Sequence, residues 1–206
     1  MTKPVRGLAR LAAAVPIVAV AVGVAGCSQS SSSSSSGVIA TTPLTIYISE
    51  PASPSATQLA VVKGEQLAYS NLHSEVVGYR LQLTTLQGKT LSDNARTAIL
   101  NSNTIAYLGE IANGSSIETA GITEALDILE LSPTDTVTVP QNDYEEFSTY
   151  GRNEYSTAGL KPSGYPVHGE EAYGYQAMAI LLEAMKKSGA SADNRADVIK
   201  AVRKLV

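Results

Sequence analysis

The sequence predicts an α/β fold: a three-layer α/β/α sandwich on a mainly parallel sheet. Three observations predict it. From Leu44 onward, short apolar runs rich in β-branched and aromatic residues alternate with longer runs whose apolar residues recur at helical spacing. The junctions between them carry Ser, Pro, Asn and Gly, the residues that cap helices and make turns. Such alternation is the mark of βαβ units with right-handed crossovers. The 206-residue chain has one cysteine, Cys27, so no internal disulfide can brace the fold and its stability must come from a core.

The elements follow in order. "LTIYIS", Leu44 to Ser49, is a first strand, and "EPASPS" ends it with two prolines and supplies serines to cap a helix. That helix is expected over Ala56 to Asn71 with Ala60, Gly64, Leu67 and Ala68 on one face. "YRLQLTTL", Tyr79 to Leu86, alternates strictly and reads as the second strand; Ser92 then caps a helix with Ala95, Ala98 and Ile99 inward. "NTIAYLG", Asn103 to Gly109, is a third strand. "SSIETAGITEALDI" is a third helix with Ile117, Gly121, Ala125 and Ile128 on its buried side, and Leu129 to Thr134 is a fourth strand.

Beyond Pro140 the rhythm changes to a polar, Tyr-rich stretch, with a helix expected near Tyr144 to Tyr155 and an irregular loop after it. "EAYGYQAMAILLEAMKKSG" is a long helix whose stripe is Tyr175, Met178, Leu182 and Met185, stopped by Gly189 behind Lys186 and Lys187. "NRADVIKAVRKLV" closes the chain as a last helix with Val198, Val202 and Leu205 inward.

The amino-terminal segment has a different character. Lys3, Arg6 and Arg10 precede the apolar run "LAAAVPIVAVAVGV", too short for a comfortable membrane span and typical of an export signal. The signal ends in "VAGC", which resembles the lipobox of bacterial lipoproteins. The resemblance implies cleavage before Cys27 and a lipid on its thiol; the alternative is a soluble secreted protein with a chance cysteine. "SQSSSSSSSG" behind it can bury nothing and reads as a tether. The expected division is therefore a signal peptide over 1–26, a lipidated cysteine and tether over 27–42, and one folded lobe over 43–206. Without residues 1–26, 12 basic and 19 acidic residues remain, a net charge of −7, which argues against nucleic-acid partners.

In an open parallel sheet, ligands bind beyond the carboxyl ends of the strands. Three loops there, "EPASPSA", "EIANGSS" and "SPTDT", are rich in Ser, Asn, Thr and Asp and can offer backbone N–H groups at helix starts. That is chemistry for holding a carboxylate, amine or hydroxyl. No Gly-x-Ser-x-Gly elbow, P-loop or His-Glu-x-x-His is present, so no enzyme, cofactor or catalytic residue is expected. His168, Glu170 and Glu171 lack a ligand set with zinc spacing, and His73 sits in a polar turn, so no metal is expected either.

Residues 44–139 and 170–205, with the strings "SEPASPSATQLAVV", "AYLGEIANGSS", "LELSPTDT" and "AYGYQAMAILLEAMKKSG" in that order, resemble a known family. It is that of the Leu/Ile/Val-binding type, the extracellular ligand-binding proteins of branched-chain amino-acid ABC transporters. The resemblance implies a single lobe of a type I periplasmic-binding-protein-like fold. It also implies ligand contacts at Asn113, Gly114 and Ser115 in one loop and at Asp135 and Thr136 in the next. Asn113 stands where the family commonly has serine, and Asp135 could pair with an ammonium group. The same residues read equally as N-caps and turn formers.

Between Thr136 and Phe147 there is no room for the family's second lobe, so weak binding of a small zwitterion such as a branched-chain amino acid is expected. The implied partners are that ligand, an ABC permease or a second copy of the chain, and a membrane through the lipid anchor. The expected location is the extracytoplasmic side of the cell membrane. A scaffold lipoprotein that binds another protein through the open cleft face and Tyr150 and Tyr155 is the alternative.

Overall fold

The computed structural model describes residues 42–136 and 153–206. The signal segment, Cys27, the serine tether, Tyr144 and Tyr150 lie outside the described residues, as does most of the helix expected over Tyr144 to Tyr155.

Five strands form one all-parallel sheet in the order β2-β1-β3-β4-β5: β1 (Leu44–Ser49), β2 (Leu81–Leu86), β3 (Thr104–Leu108), β4 (Leu129–Ser132) and β5 (Glu154–Ser156). Helices α1 (Ala56–Leu72), α4 (Glu170–Ser188) and α5 (Arg195–Val202) pack on one face, and α2 (Leu91–Leu100) and α3 (Ala120–Glu124) on the other. Strand alternation sorts the side chains: Ile46, Ile48, Ala106, Leu108, Leu129 and Leu131 join the α1/α4 core, while Tyr47 and Tyr107 join Ala95 and Ala98 beneath α2.

β1 spans the predicted residues, and α1 starts where its serine predicts. Ser55 accepts from the Gln58 amide at 3.2 Å while Gln58 Oε1 accepts from the Ser55 amide at 2.9 Å, a capping box. The inward face of α1 is rotated from the predicted one: Gly64 and Ala68 are buried as predicted, but Ala60 is only half-buried. Leu67 is 40% exposed, and the buried stripe is Val61, Gly64, Glu65 and Ala68. The reason is α4: the two helices meet backbone to backbone at Gly64 and Gly174, and that contact sets the rotation of α1.

Other departures have similar causes. β2 begins at Leu81, because the Tyr79 hydroxyl is drawn out to the Ala190 carbonyl (2.6 Å) and the Asp193 carboxylate (3.1 Å). Thr90, not Ser92, caps α2: its extended backbone and hydroxyl form a capping box with Asp93, which leaves Ser92 inside the first turn. The third helix is short and turned. A 3-10 turn over Ser115–Glu118 leads into α3; Ile117 is 57% exposed, Ala125 is exposed, and Ile128 is buried only as the residue entering β4. The inward stripe is instead Ser116, Thr119, Ala120 and Thr123. Buried Glu130 on β4 is what turns it, accepting from the Thr119 hydroxyl at 2.6 Å and the Thr123 hydroxyl at 2.7 Å.

Residues 154–156 are strand rather than the end of a helix. The Glu130 amide donates to Asn153 O (2.8 Å) and the Thr157 amide to Ser132 O (2.9 Å), adding β5 to the open edge of β4. α4 matches its predicted stripe, with Tyr175, Met178, Leu182 and Met185 buried and Gly189 at its end with φ +55°. In α5, capped by Asn194, Val198 and Val202 are buried, and Leu205 lies just past the helix.

Candidate ligand site at the carboxyl edge of the sheet

The strand order reverses direction between β1 and β3, and such a switch point opens a crevice outside the carboxyl ends of these strands. The ends of β1 and β3 meet there in a buried polar network centred on Glu110. Tyr107 donates its hydroxyl to Glu110 Oε1 at 2.6 Å, and Ser49 donates to Oε2 at 3.0 Å. Asn94 of α2 fixes Ser49 by donating Nδ2 to its Oγ at 3.0 Å and to the Glu50 carbonyl at 3.1 Å. The Glu110 amide donates to Ser132 Oγ at 3.0 Å, so β4 joins the network as well.

The two loops beyond this network are fastened to each other. Both oxygens of the buried Asp135 carboxylate accept backbone N–H groups, from Gly114 at 2.7 Å and Ser116 at 3.0 Å. Gly114 sits at φ +81°, a conformation that turns the amides toward Asp135 and that side chains resist. Asn113 Oδ1 accepts from the Thr136 amide at 2.8 Å and its hydroxyl at 2.6 Å. Ser115 is half-buried, with its amide on the Ala112 carbonyl at 3.1 Å. Ser156 of β5 donates to the Asp135 carbonyl.

All five residues singled out in the sequence are thus brought to one place. Asn113 and Thr136 are exposed on its rim, while Asp135 is occupied by the chain's own amides as a staple between loops. His168 and Glu170 are exposed at the start of α4, and among the described residues no group of three His, Cys, Asp or Glu is placed to hold a metal. Tyr155, Tyr165 and Tyr175 pack against the α1/α4 core, and Tyr155 Oη accepts from Arg203 Nε at 2.8 Å.

Sequence reasoning missed the buried acids. Burial pushes Glu110 up to about 7; the hydroxyls of Tyr107 and Ser49 pull it down, and the charges of Glu118 and Asp135 raise it further. Burial likewise raises Glu130 and Glu65 well above the usual carboxylate range, Glu110's charge adding to both. Among the described residues, neither oxygen of Glu65 has a hydrogen-bond partner. The signal was present as an acid directly behind a wholly buried strand in "YLGE" and an acid between leucines in "LELS".

Two hollows lie away from this edge. One, of about 280 Å³, is lined by Leu72, Tyr165, Leu182 and Leu205. The other, of about 770 Å³, is lined by Ser102, Asn153, Arg195 and Lys200 beside the amino ends of the strands.

This architecture, a five-stranded parallel sheet between two layers of helices, has the fold of a single lobe of the type I periplasmic-binding-protein type. A leucine-binding protein, LivK, from Thermotoga maritima superposes on 78% of this chain and 87% of its own, at TM-score 0.57 and 12% identity. The branched-chain amino-acid transporter substrate-binding protein LivJ from Streptococcus pneumoniae, solved with isoleucine, overlays 56% of this chain and 33% of its own, at TM-score 0.43 and 17% identity. At 12% identity the likeness to LivK establishes the fold alone. No protein-family model and no curated protein matches the chain.

Proposed function

We propose that this is an extracytoplasmic substrate-binding-type protein that holds a small zwitterion, such as a branched-chain amino acid, at the carboxyl edge of its sheet. It acts by non-covalent recognition in connection with an ABC uptake system, anchored through a lipid on Cys27. The observation that carries the reading is the pair of loops at the switch point, locked together by Asp135 and by Asn113 with Thr136. A preset cradle lowers the ordering cost of binding. With one lobe, the contacts stay open to water and each hydrogen bond nets only ~0.5–1.5 kcal/mol, so affinity is low.

A second reading has its own support. The Asp135 carboxylate, the natural partner for an ammonium group, is already filled by the Gly114 and Ser116 amides. That favours a lobe kept as an interaction or scaffold lipoprotein without a small ligand.

A thermal-shift titration of the purified protein with the common amino acids separates the two. Binding to the folded state alone raises stability by about 2.7 kcal/mol at a hundredfold excess over Kd. A saturable shift with leucine, isoleucine or valine, reduced in Asn113→Ala, supports the receptor reading; no shift with any amino acid overturns it. Cys27→Ala tests the anchor separately, since it should move the protein out of the membrane fraction.

A further inference from the structure

We propose that Asn113 is a self-modification site: its side chain deamidates by attack of the Gly114 backbone nitrogen, and Asp135 is the positioning residue that keeps this slow by holding that nitrogen away. The consequence for ligand capture rests on the binding reading above; the chemistry does not.

The chain contains one Asn-Gly pair, and it stands in the loop after β3. Glycine puts no side chain in the way of its own nitrogen, so an imide ring closes there more readily than before any other residue. The nitrogen loses its proton to hydroxide and attacks Asn113 Cγ. A Cγ–N bond forms, the Cγ–Nδ2 bond breaks, and Nδ2 leaves as ammonia with a proton from water. Water then opens the five-membered imide at either carbonyl. The product is aspartate or, with the main chain rerouted through the side chain, isoaspartate.

The electrophile is ready. Asn113 is exposed, so hydroxide reaches it and ammonia can depart. Its Oδ1 accepts from the Thr136 amide at 2.8 Å and the Thr136 hydroxyl at 2.6 Å, two donors that polarise Cγ and stabilise charge arriving on that oxygen.

The nucleophile is withheld. The Ser115 amide donates to the Ala112 carbonyl at 3.1 Å, Gly114 lies at φ +81° and ψ 0°, and Asn113 keeps a negative φ, which together make a type II turn. In that turn the peptide plane between Asn113 and Gly114 holds the nitrogen rotated away from the Asn113 side chain, and the ring closes only if the plane turns. The Gly114 N–H donates to Oδ1 of the buried Asp135 at 2.7 Å, while the Ser116 amide holds the other oxygen at 3.0 Å. Turning the plane breaks the Gly114 bond, and the carboxylate opposes the negative charge that the nitrogen must carry to attack.

Either product places a new carboxylate on the rim beside Asp135, where it repels the carboxylate of a zwitterion. Isoaspartate also adds a carbon to the main chain ahead of the Gly114 amide and draws that amide out of register with Asp135.

Incubating the purified protein at mildly alkaline pH, with no ligand added, tests this by mass spectrometry of the peptide that carries Asn113. In the folded wild type Asn113 should deamidate roughly ten- to a hundredfold more slowly than in the same chain unfolded in urea, the factor that corresponds to a hydrogen bond to a charged acceptor. Asp135→Ala, read below its melting temperature, should recover most of that factor, and Asp135→Asn, which keeps one acceptor, should fall between. Arg195→Ala loosens the fold at the opposite edge of the sheet and, read below its own melting temperature, should leave the wild-type rate. Equal rates in folded and unfolded wild type, or an Asp135→Ala rate no higher than that of Arg195→Ala, overturn the proposal. If Asp135→Ala does not fold, an Asp135→Asn rate equal to that of the wild type overturns it equally. Because no amino acid enters the experiment, its result stands apart from the outcome of the ligand screen.

Discussion

Gly64 on α1 and Gly174 on α4 mark the place where two helix backbones touch with no side chain between them. A β-carbon on Gly64 would lie 1.9 Å from the Glu171 carbonyl oxygen, and one on Gly174 would lie 1.9 Å from that of Val61. Backbone carbonyls cannot swing aside as a flexible side-chain end does. Gly64→Ala and Gly174→Ala should each cost about 3 kcal/mol or more, at or beyond the upper end of ordinary overpacking. Urea unfolding measures this, and an unchanged midpoint in either variant would contradict the contact.

Stability should depend on pH in the direction opposite to that of a protein held by ion-paired carboxylates. Glu65, Glu110 and Glu130 are buried with raised proton affinity, so the folded state binds more protons than the unfolded one above about pH 4.5. Their shared contribution is fully present below that value and is lost as pH rises, for Glu110 until about 7. Each group adds at most about 1.4 kcal/mol per pH unit to the slope. Denaturant midpoints should fall from acid toward neutral pH, less steeply in Glu110→Gln; a flat profile would refute the raised affinities.

Glu65 offers a stabilising substitution. Its two oxygens are buried without partners among the described residues, a cost of ~1–3 kcal/mol that an apolar side chain of similar length does not carry. Glu65→Met should raise the unfolding free energy by about that amount at neutral pH. Loss of stability would instead reveal a partner for that carboxyl.

Asp135→Ala should leave the Gly114 and Ser116 amides without their acceptor and cost ~1–3 kcal/mol. Protease cutting within residues 111–116 would rise before global unfolding does. If the midpoint and the cutting pattern are both unchanged, the loops are not held by this carboxylate.

Arg195 ties the start of α5 to the amino edge of the sheet through three carbonyls: Thr104 at 2.8 Å, Leu126 at 2.8 Å and Ser102 at 3.1 Å. Only a planar fork reaches all three, so Arg195→Lys should be nearly as damaging as Arg195→Ala. Full recovery of the melting temperature by lysine would count against this role.

By itself the sequence determined the elements whose signals are local. The β-branched and aromatic run of β1, the Ser55 cap of α1, and the stripe and glycine stop of α4 each depend on residues within a turn or two of one another, and each forms as read. It also brought the Asn113 and Asp135 loops to the same edge, since parallel strands and right-handed crossovers leave few alternatives.

Only the tertiary structure decided which polar groups go inside. An apolar-stripe reading of the third helix selects Ile117, yet Ser116, Thr119 and Thr123 turn inward because Ser132 and Glu130 wait there to be satisfied. Glu110 finds Ser49 across 61 residues of sequence, and β5 exists because β4 had an open edge. Burying a carboxyl is tolerable only once its donors are assembled from distant segments, and no local pattern records where those donors will be.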